Sequence, residues 1–251
     1  MIKAVKLTKK FGDKVAVNAI NLDIKQGEIY GFLGENGAGK TTTIRMLTGT
    51  LTPTSGEIFI DNIELAKNEI QAKSIIGVVP DEPKLYDNLK GNEFLNFIMD
   101  IYELNKKETA TILSELCEAF NIDYLNMYCS EYSHGMKQKV MLVSALMRKP
   151  KILFLDEPTV GLDAKSAKIL KVLLQKYSKE GMTIFLTTHI LEIAQKMCTR
   201  IGIIDKGNII VEGTMEELRE KSGMENENLE EIFLKLTGTS EESINEIIDS
   251  L

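Results

Sequence analysis

Several features are scarce in this 251-residue chain, and each absence narrows its possible class. The three cysteines, Cys117, Cys129 and Cys198, lie far apart without C-x-x-C spacing. This argues against a disulfide framework and a zinc site, and it favours a reducing compartment. No apolar run approaches the roughly 18 residues that span a bilayer. Residues 1–6 alternate like a strand and lack the apolar stretch of a signal peptide. We therefore expect a cytosolic protein.

An excess of basic charge is also lacking. The formal net charge is −7, and residues 212–251 hold 12 acidic but only 3 basic side chains. The rest of the chain is close to neutral, and no strongly basic patch stands out. Because binding to nucleic acid is driven by neutralisation of phosphates, nucleic acid is disfavoured as the main partner.

One glycine-rich stretch is far more specific than the composition. Gly34-Glu35-Asn36-Gly37-Ala38-Gly39-Lys40-Thr41 fits the phosphate-binding pattern G-x-x-x-x-G-K-[ST]. An apolar run precedes it as a strand would, and Thr42 opens a helical run after it. Glycines let backbone N–H groups converge on phosphate oxygens, and the helix N-terminus adds partial positive charge. We predict that Lys40 reaches the β- and γ-phosphates of a nucleotide and that the Thr41 hydroxyl holds Mg²⁺.

Strand-like and helix-like runs alternate in the first and last thirds of the chain, whereas residues 92–147 follow a helical pattern. Two of the strand-like runs, within 75–79 and 152–155, are apolar throughout, which suits parallel strands covered on both faces. The predicted strands are residues 15–24, 28–33, 57–60, 75–79, 151–155, 183–187, 201–204 and 208–211. We predict an α/β fold with a parallel-rich core, an antiparallel β subdomain near the N-terminus and an inserted helical subdomain.

Two adjacent carboxylates follow the apolar run 152–155. Asp156 and Glu157 would stand at the C-terminal end of a central strand, which is where ligands bind in open α/β sheets. Asp156 is suited to hold Mg²⁺, which takes hard oxygen ligands. Glu157 can accept a proton from an attacking water. Alone, this pair would be an ordinary acidic turn, but the phosphate loop upstream favours a catalytic role.

Both histidines of the chain fall near helix or strand ends. His134 follows Ser133, which is a good N-cap for a helix that continues over 140–147, and Gly135 leaves the backbone open to an anion. His189 follows the apolar strand 183–187. A lone histidine after a strand is usually structural, but beside a γ-phosphate it could donate a hydrogen bond to developing negative charge.

These segments, in this order, resemble the nucleotide-binding subunit of ATP-binding cassette (ABC) transporters over about residues 2–215. The resemblance implies a P-loop ATPase core at residues 1–212, with a helical insert at about 84–147 and an acidic helical tail at 213–251. It implies that ATP and Mg²⁺ are the cofactors, that Glu157 and His189 are catalytic, and that Thr41, Asp81 and Asp156 arrange the metal. The implied nucleotide contacts are Phe11, which would stack on adenine, the loop residues Gly34, Glu35, Asn36, Gly37, Ala38, Gly39, Lys40, Thr41 and Thr42, the signature residues Ser133, His134, Gly135 and Met136, and Asp163 of the D-loop.

The chain departs from the usual family pattern at three positions. His134 and Met136 replace a glycine and the glutamine of the signature, and Asp81 stands where the family usually has a glutamine. A carboxylate can supply an oxygen to Mg²⁺ but cannot donate a hydrogen bond as an amide does. These substitutions, together with the ending formed by residues 229–238, resemble the sequences of the exporter branch with separate membrane subunits (ABC-2 type).

The resemblance also implies partners. A second ATP-binding subunit, expected to be a second copy of this chain, would form a head-to-tail dimer, and separate transmembrane permease subunits would use its motion. The chain would then lie in the cytoplasm, peripheral to the inner face of the membrane. Two alternatives remain: a soluble ABC ATPase of translation, cluster assembly or DNA repair, and a regulatory module that binds ATP without turnover. The presence of Glu157 and His189 argues against the second.

Overall fold

A computed structural model describes residues 1–224 and 227–238 of the chain. Its strands are β1 (Ile2–Phe11), β2 (Lys14–Ile24), β3 (Ile29–Leu33), β4 (Ser55–Ile60), β5 (Ile63–Glu64), β6 (Ile76–Val79), β7 (Ile152–Asp156), β8 (Thr183–Thr188), β9 (Arg200–Asp205) and β10 (Asn208–Gly213). Its helices are α1 (Lys40–Leu47), α2 (Glu69–Ser74), α3 (Gly91–Ile101), α4 (Lys106–Phe120), α5 (His134–Leu146), α6 (Ala164–Lys179), α7 (Leu191–Met197), α8 (Met215–Ser222) and α9 (Leu229–Thr237).

The strands form two sheets. A four-stranded antiparallel sheet has the order β2-β1-β4-β5, and a six-stranded sheet has the order β10-β9-β3-β8-β7-β6. In the second sheet β9, β3, β8, β7 and β6 run parallel, and β10 is an antiparallel edge strand. The fold is therefore α/β with an antiparallel β subdomain, and the prediction of fold class is confirmed.

The central strands are buried on both faces, because successive side chains of a strand point to opposite sides. On β7, Ile152 and Phe154 face the core shared with α1 and the antiparallel sheet. Leu153 and Leu155 face a second core, which is built mainly by α3, α4, α5 and α6. The fully apolar runs predicted as parallel strands thus separate two cores.

The helical segment between β6 and β7 contains α3, α4 and α5. Asn105 caps α4 by accepting from Lys107 N and Glu108 N, and Ser133 caps α5 by accepting from Met136 N at 3.3 Å. The predicted N-cap is therefore confirmed. The predicted boundaries of the insert and of the tail stay predictions, and residues 239–251 of the predicted tail lie outside the described residues.

The last two described helices pack on the six-stranded sheet. Leu218 of α8 and Leu229, Ile232 and Phe233 of α9 are buried against the end of β3 and against α7. Within residues 1–224 and 227–238, no helix has both the length and the apolar character needed to cross a membrane.

Candidate functional site

Parallel strands bring the predicted site residues to one edge of the sheet. Leu33 pairs with Thr188, Asp156 pairs with Thr187, and Val79 pairs with Leu155. The phosphate loop, Glu157, His189 and the segment that carries Asp81 therefore all begin where a parallel strand ends, which is where open α/β sheets bind ligands.

Two glycines of the phosphate loop lie where the neighbouring chain leaves no room for a side chain. Gly39 adopts a φ of 114°, and a Cβ there would lie 2.7 Å from the carbonyl oxygen of Ala16. A Cβ on Gly34 would lie 2.4 Å from the carbonyl oxygen of Ile204. Helix α1 starts at Lys40, and its first turn holds lysine and threonines. The backbone N–H groups of this turn form the kind of helix terminus that binds an anion.

Lys40 lies inside this loop and faces acidic residues. Its Nζ donates to the carbonyl oxygens of Gly34 at 2.6 Å and Glu35 at 3.1 Å. Burial lowers the pKa of Lys40, and the carboxylates of Glu157, Asp156 and Asp81 act in the opposite direction. The site therefore holds a buried ammonium, suited to a phosphate, and three carboxylates that act on it electrostatically and are suited to a cation.

The three predicted metal residues line one cavity. Thr41, Asp81 and Asp156 border a space of about 500 Å³. Thr187 Oγ donates to Asp156 Oδ1 at 2.5 Å and so fixes that carboxylate. Burial, together with the carboxylates of Asp156 and Glu157, raises the pKa of Asp81. Asp81 therefore shares the electrostatic environment of the strand-end carboxylates.

These donors fit a magnesium ion that is shared with a phosphate rather than one held by the protein alone. Among residues 1–224 and 227–238, no three His, Cys, Asp or Glu side chains form a metal-binding group. Mg²⁺ is usually bound by one or two carboxylates, phosphate oxygens and water. The hydroxyl of Thr41 and the carboxylates at the edge of the cavity would supply the protein's share of such a set, and this role stays a prediction.

Glu157 and His189 form a direct pair. His189 Nδ1 lies 3.0 Å from Glu157 Oε1, and the His189 backbone N–H donates to Glu157 Oε2 at 3.3 Å. Glu157 is 8% exposed, and its φ of 49° turns the chain sharply at the end of β7. Thr187 accepts the Glu157 N–H with both its carbonyl and its hydroxyl oxygen. The carboxylate is thus held beside the half-exposed imidazole, as a base for water would need to be.

The signature segment packs against the loop that follows Glu157. A Cβ on Gly161 would lie 2.4 Å from His134 Cδ2, and a Cβ on Gly135 would lie 2.4 Å from the carbonyl oxygen of Gly161. The space beside Gly135 is therefore filled by the chain itself. His134 occupies the side of the helix terminus where a glycine would leave a gap.

Asp163 is engaged within its own chain. It caps α6 by accepting from Ser166 N at 2.8 Å and Ser166 Oγ at 2.9 Å, and Lys139 Nζ lies 2.8 Å away. Lys139, and then Ser166, hold the pKa of Asp163 well below its usual range. A role for Asp163 toward nucleotide stays a prediction.

Phe11 lies at the end of the β1–β2 hairpin and is 51% exposed. Lys9 Nζ lies 5.2 Å from the centre of its ring. Ala16 of β2 contacts the position of Gly39, which brings this hairpin to the phosphate loop. An exposed ring beside a phosphate site is suited to stacking on a base, and this role stays a prediction.

Two residues that hold the site were not predicted from the sequence. Thr187 forms hydrogen bonds with both Asp156 and Glu157. Its position two residues before His189, in a predicted strand, was the signal for a residue near the site. Gln138, fully buried, donates to the Pro158 carbonyl at 3.4 Å, while its Oε1 finds no partner among the described residues. The available signal was a polar residue five positions after the Ser133 cap, although its burial cannot be read from the sequence.

Comparisons with known proteins agree on one family. The family model described as ABC transporter matches residues 17–160. The chain is 37% identical over 240 residues to the ABC transporter ATP-binding protein NatA of Bacillus subtilis, which covers 93% of this chain and 97% of NatA. It is 38% identical to the bacitracin transport ATP-binding protein BcrA of Bacillus licheniformis over 88% of this chain and 72% of BcrA.

A longer relative and two solved structures extend this result. The probable multidrug ABC transporter ATP-binding protein YbhF of Escherichia coli is 35% identical, and the chain spans 41% of its length. A structure titled as an ATP-binding subunit of an ABC transporter superposes with a TM-score of 0.91, at 29% identity over 94% of this chain and 99% of that one. A dimeric post-hydrolysis state of the cassette MJ0796, bound to ADP and Pi, superposes with a TM-score of 0.75, at 27% identity over 86% and 99%.

Proposed function

The chain belongs to the ABC transporter family, and from this premise we propose that it binds MgATP and hydrolyses it to power export through separate membrane subunits. The prediction of an ABC ATP-binding subunit similar to the exporter branch is confirmed by its relatives. One observation supports hydrolysis best: Glu157, held by His189, stands at the same sheet edge as Lys40. A module that only binds ATP would not need that pair.

The residues divide the work of the reaction. Backbone N–H groups of residues 34–42 and Lys40 hold the phosphates and offset their charge. Glu157 orients a water and accepts its proton, and His189 donates to the γ-phosphate as negative charge develops there. Bound Mg²⁺ would be held by Thr41, Asp156 and Asp81, and it would neutralise charge on the phosphate oxygens. Phe11 would stack on the adenine.

A single chain has only half of each site. Ser133, His134, Gly135 and Met136 lie at the start of α5, and in a head-to-tail dimer this helix terminus would close on ATP held by the other copy. The similar cassette MJ0796, solved as a dimer bound to ADP and Pi, supports pairing of two copies. We propose that this chain pairs with a second copy of itself.

Ser133→Arg is expected to preserve ATP binding by the monomer and to abolish hydrolysis, because the longer side chain would fill the space of the partner's γ-phosphate. Mixing this variant with Lys40→Ala should restore up to about a quarter of the activity, since half of the dimers are mixed and each keeps one intact site of two. Phosphate release by each variant alone and by the mixture is the measurement. Ser130→Arg, which adds the same charge at an exposed neighbouring position, is the control. Full activity of Ser133→Arg alone would exclude the shared site.

The helical insert of this chain carries a surface on which a membrane subunit could dock. A groove of about 420 Å³ continues from the cavity of Asp81 and shares Val78, Lys84 and Met141 with it. Its wall carries large apolar side chains that face solvent, with Tyr86 56% and Ile101 55% exposed. Contiguous exposed apolar surface of this kind marks an interaction site. We propose that an apolar segment of the permease docks there, so that the nucleotide state reaches it through residues 80–85.

Ile101→Glu is expected to abolish capture of an integral membrane protein when tagged chain is purified from detergent-solubilised membranes of its host, because a charge would enter the apolar interface. Its ATPase activity should remain. Val172→Glu, at a 57% exposed valine on α6 away from the groove, is the control and should capture the membrane protein normally. Capture of a soluble factor by both variants would instead favour the soluble ABC ATPases of translation, cluster assembly or repair.

We propose residues 1–212 as the ATPase domain, with its helical insert at about 84–147, and residues 213–251 as an acidic tail. The chain would lie at the cytoplasmic face of the membrane through its permease partner. That nucleic acid is not a partner stays a prediction from the charge distribution.

A further inference from the structure

Helix α7 is one of the two elements that flank His189. Strand β8 ends at Thr188, His189 follows, and α7 begins at Leu191. His189 contacts Glu157 both through its backbone N–H and through its ring. A rotation of α7 would therefore change the distance between the imidazole and the carboxylate.

Helix α7 cannot fix its own orientation. It has seven residues, and isolated helices of this length are unstable in water. In the described part of the chain no side chain caps its N-terminus, which begins after Ile190. Its position must therefore come from the elements that it packs against.

One of those elements is α9, which comes from the C-terminal end of the chain. Ala194 of α7 and Leu33 of β3 share one buried cluster with Ile232 and Phe233 of α9. Leu33 directly precedes Gly34 of the phosphate loop. Helix α9 thus packs against the helix that follows His189, and it shares a buried cluster with the strand that leads into the phosphate loop.

In the described part of the chain, a hydrogen bond joins α7 to α9. Gln195 Oε1 accepts from the backbone N–H of Leu229 at 3.0 Å. The first N–H groups of a helix lack intrahelical partners. Asn228 accepts from Glu230 N and Glu231 N, so the N–H of Leu229 is left to Gln195. This bond joins the beginning of α9 to the middle of α7.

We propose that α9 sets the position of His189 through α7, and that Gln195 is the positioning residue for ATP hydrolysis. The inference rests on the proposed function. Gln195 bonds the backbone of α9 and does not line the cavity of Asp81. It acts by holding α7 so that the imidazole of His189 stays in contact with Glu157. Helix α9 thereby regulates ATP turnover at a site that is distant from it in the sequence.

The experiment removes the bond from each side. Gln195→Leu removes the acceptor at similar size, and Gln195→Glu keeps an oxygen acceptor. Leu229→Pro removes the donor at the first helical position, where proline is favoured, and the extended backbone of Asn228 (ψ 173°) tolerates a following proline. Leu229→Ala loses the side chain but keeps the N–H, and Lys196→Gln changes an exposed neighbour on α7.

For Gln195→Leu we expect kcat to fall about ten-fold with the KM for ATP within about two-fold, and Gln195→Glu should stay near wild type. Leu229→Pro should fall as far below Leu229→Ala as Gln195→Leu falls below wild type. The double variant Gln195→Leu/Leu229→Pro should be no slower than Leu229→Pro, because both remove one bond. Lys196→Gln should match wild type.

Nuclear magnetic resonance gives a readout that needs no turnover. The chain has two histidines, so its imidazole signals are assigned by comparison with His189→Ala. Gln195→Leu should shift the His189 signals and leave those of His134 in place. Unchanged His189 signals with unchanged kcat, or equal losses in Leu229→Pro and Leu229→Ala, would overturn the proposal. Absence of hydrolysis in the wild type would overturn the proposed function instead, and the signals would still show whether Gln195 positions His189.

Discussion

Glu157→Gln is expected to lower kcat for ATP hydrolysis by ~10²–10⁴ while MgATP still binds. The substitution keeps the shape of the side chain and removes its ability to accept a proton. In the wild type the backbone N–H of His189 donates to Glu157 Oε2 at 3.3 Å, and the amide oxygen of the glutamine can still accept this bond. The amide nitrogen can face His189 Nδ1, so the local geometry is preserved while the chemistry is lost.

Because this variant would bind ATP without hydrolysing it, the bound ATP should hold two copies together. We expect Glu157→Gln to elute as a dimer with ATP and as a monomer without it in size-exclusion chromatography. Phosphate release measures the loss of turnover, and calorimetric titration measures the retained binding. Glu118→Gln, at an exposed acid on α4, makes the same chemical change outside the site and should hydrolyse ATP normally. Turnover of Glu157→Gln at the wild-type rate would show that another group is the base.

The sheet edge that carries this chemistry could be predicted from the sequence because its signals are local. Fully apolar runs of four or five residues predicted the central strands, and each was followed by a residue with phosphate or metal chemistry. Ser133 was recognised as a cap because the residue type alone favours that position. The short elements β5 and α2 were missed, since two and six residues give too little periodicity to detect.

The contacts that position the site were not predictable in the same way, because they join residues distant in sequence. His134 packs on Gly161, and Lys139 pairs with Asp163, yet nothing in either segment identifies the other. Gln195 and Leu229 are 34 residues apart and meet only because α7 and α9 pack side by side. A single sequence gives the chemistry of each segment, whereas the pairing of segments depends on tertiary packing.

The second large effect is expected at Lys40, whose replacement by alanine should weaken MgATP binding roughly 10- to 150-fold, since a hydrogen bond to a charged group contributes about 1.5–3 kcal/mol. The ammonium of Lys40 is buried, and the carboxylates of Asp81, Asp156 and Glu157 act on it electrostatically. Without it those negative charges would face the phosphates directly, and hydrolysis should be lost with binding.

The location of Lys40, rather than positive charge in general, is what this prediction tests. Lys84→Ala removes another cation at the rim of the same cavity, where its side chain is 85% exposed, and it should bind MgATP as wild type does. A folded variant that binds less ATP also gains less thermal stability from it, because ligand stabilisation follows the ratio of ligand concentration to Kd. Calorimetry and the ATP-dependent shift in Tm should therefore both separate Lys40→Ala from Lys84→Ala. Equal affinity of Lys40→Ala and wild type would mean that the phosphates are held elsewhere than at residues 34–41.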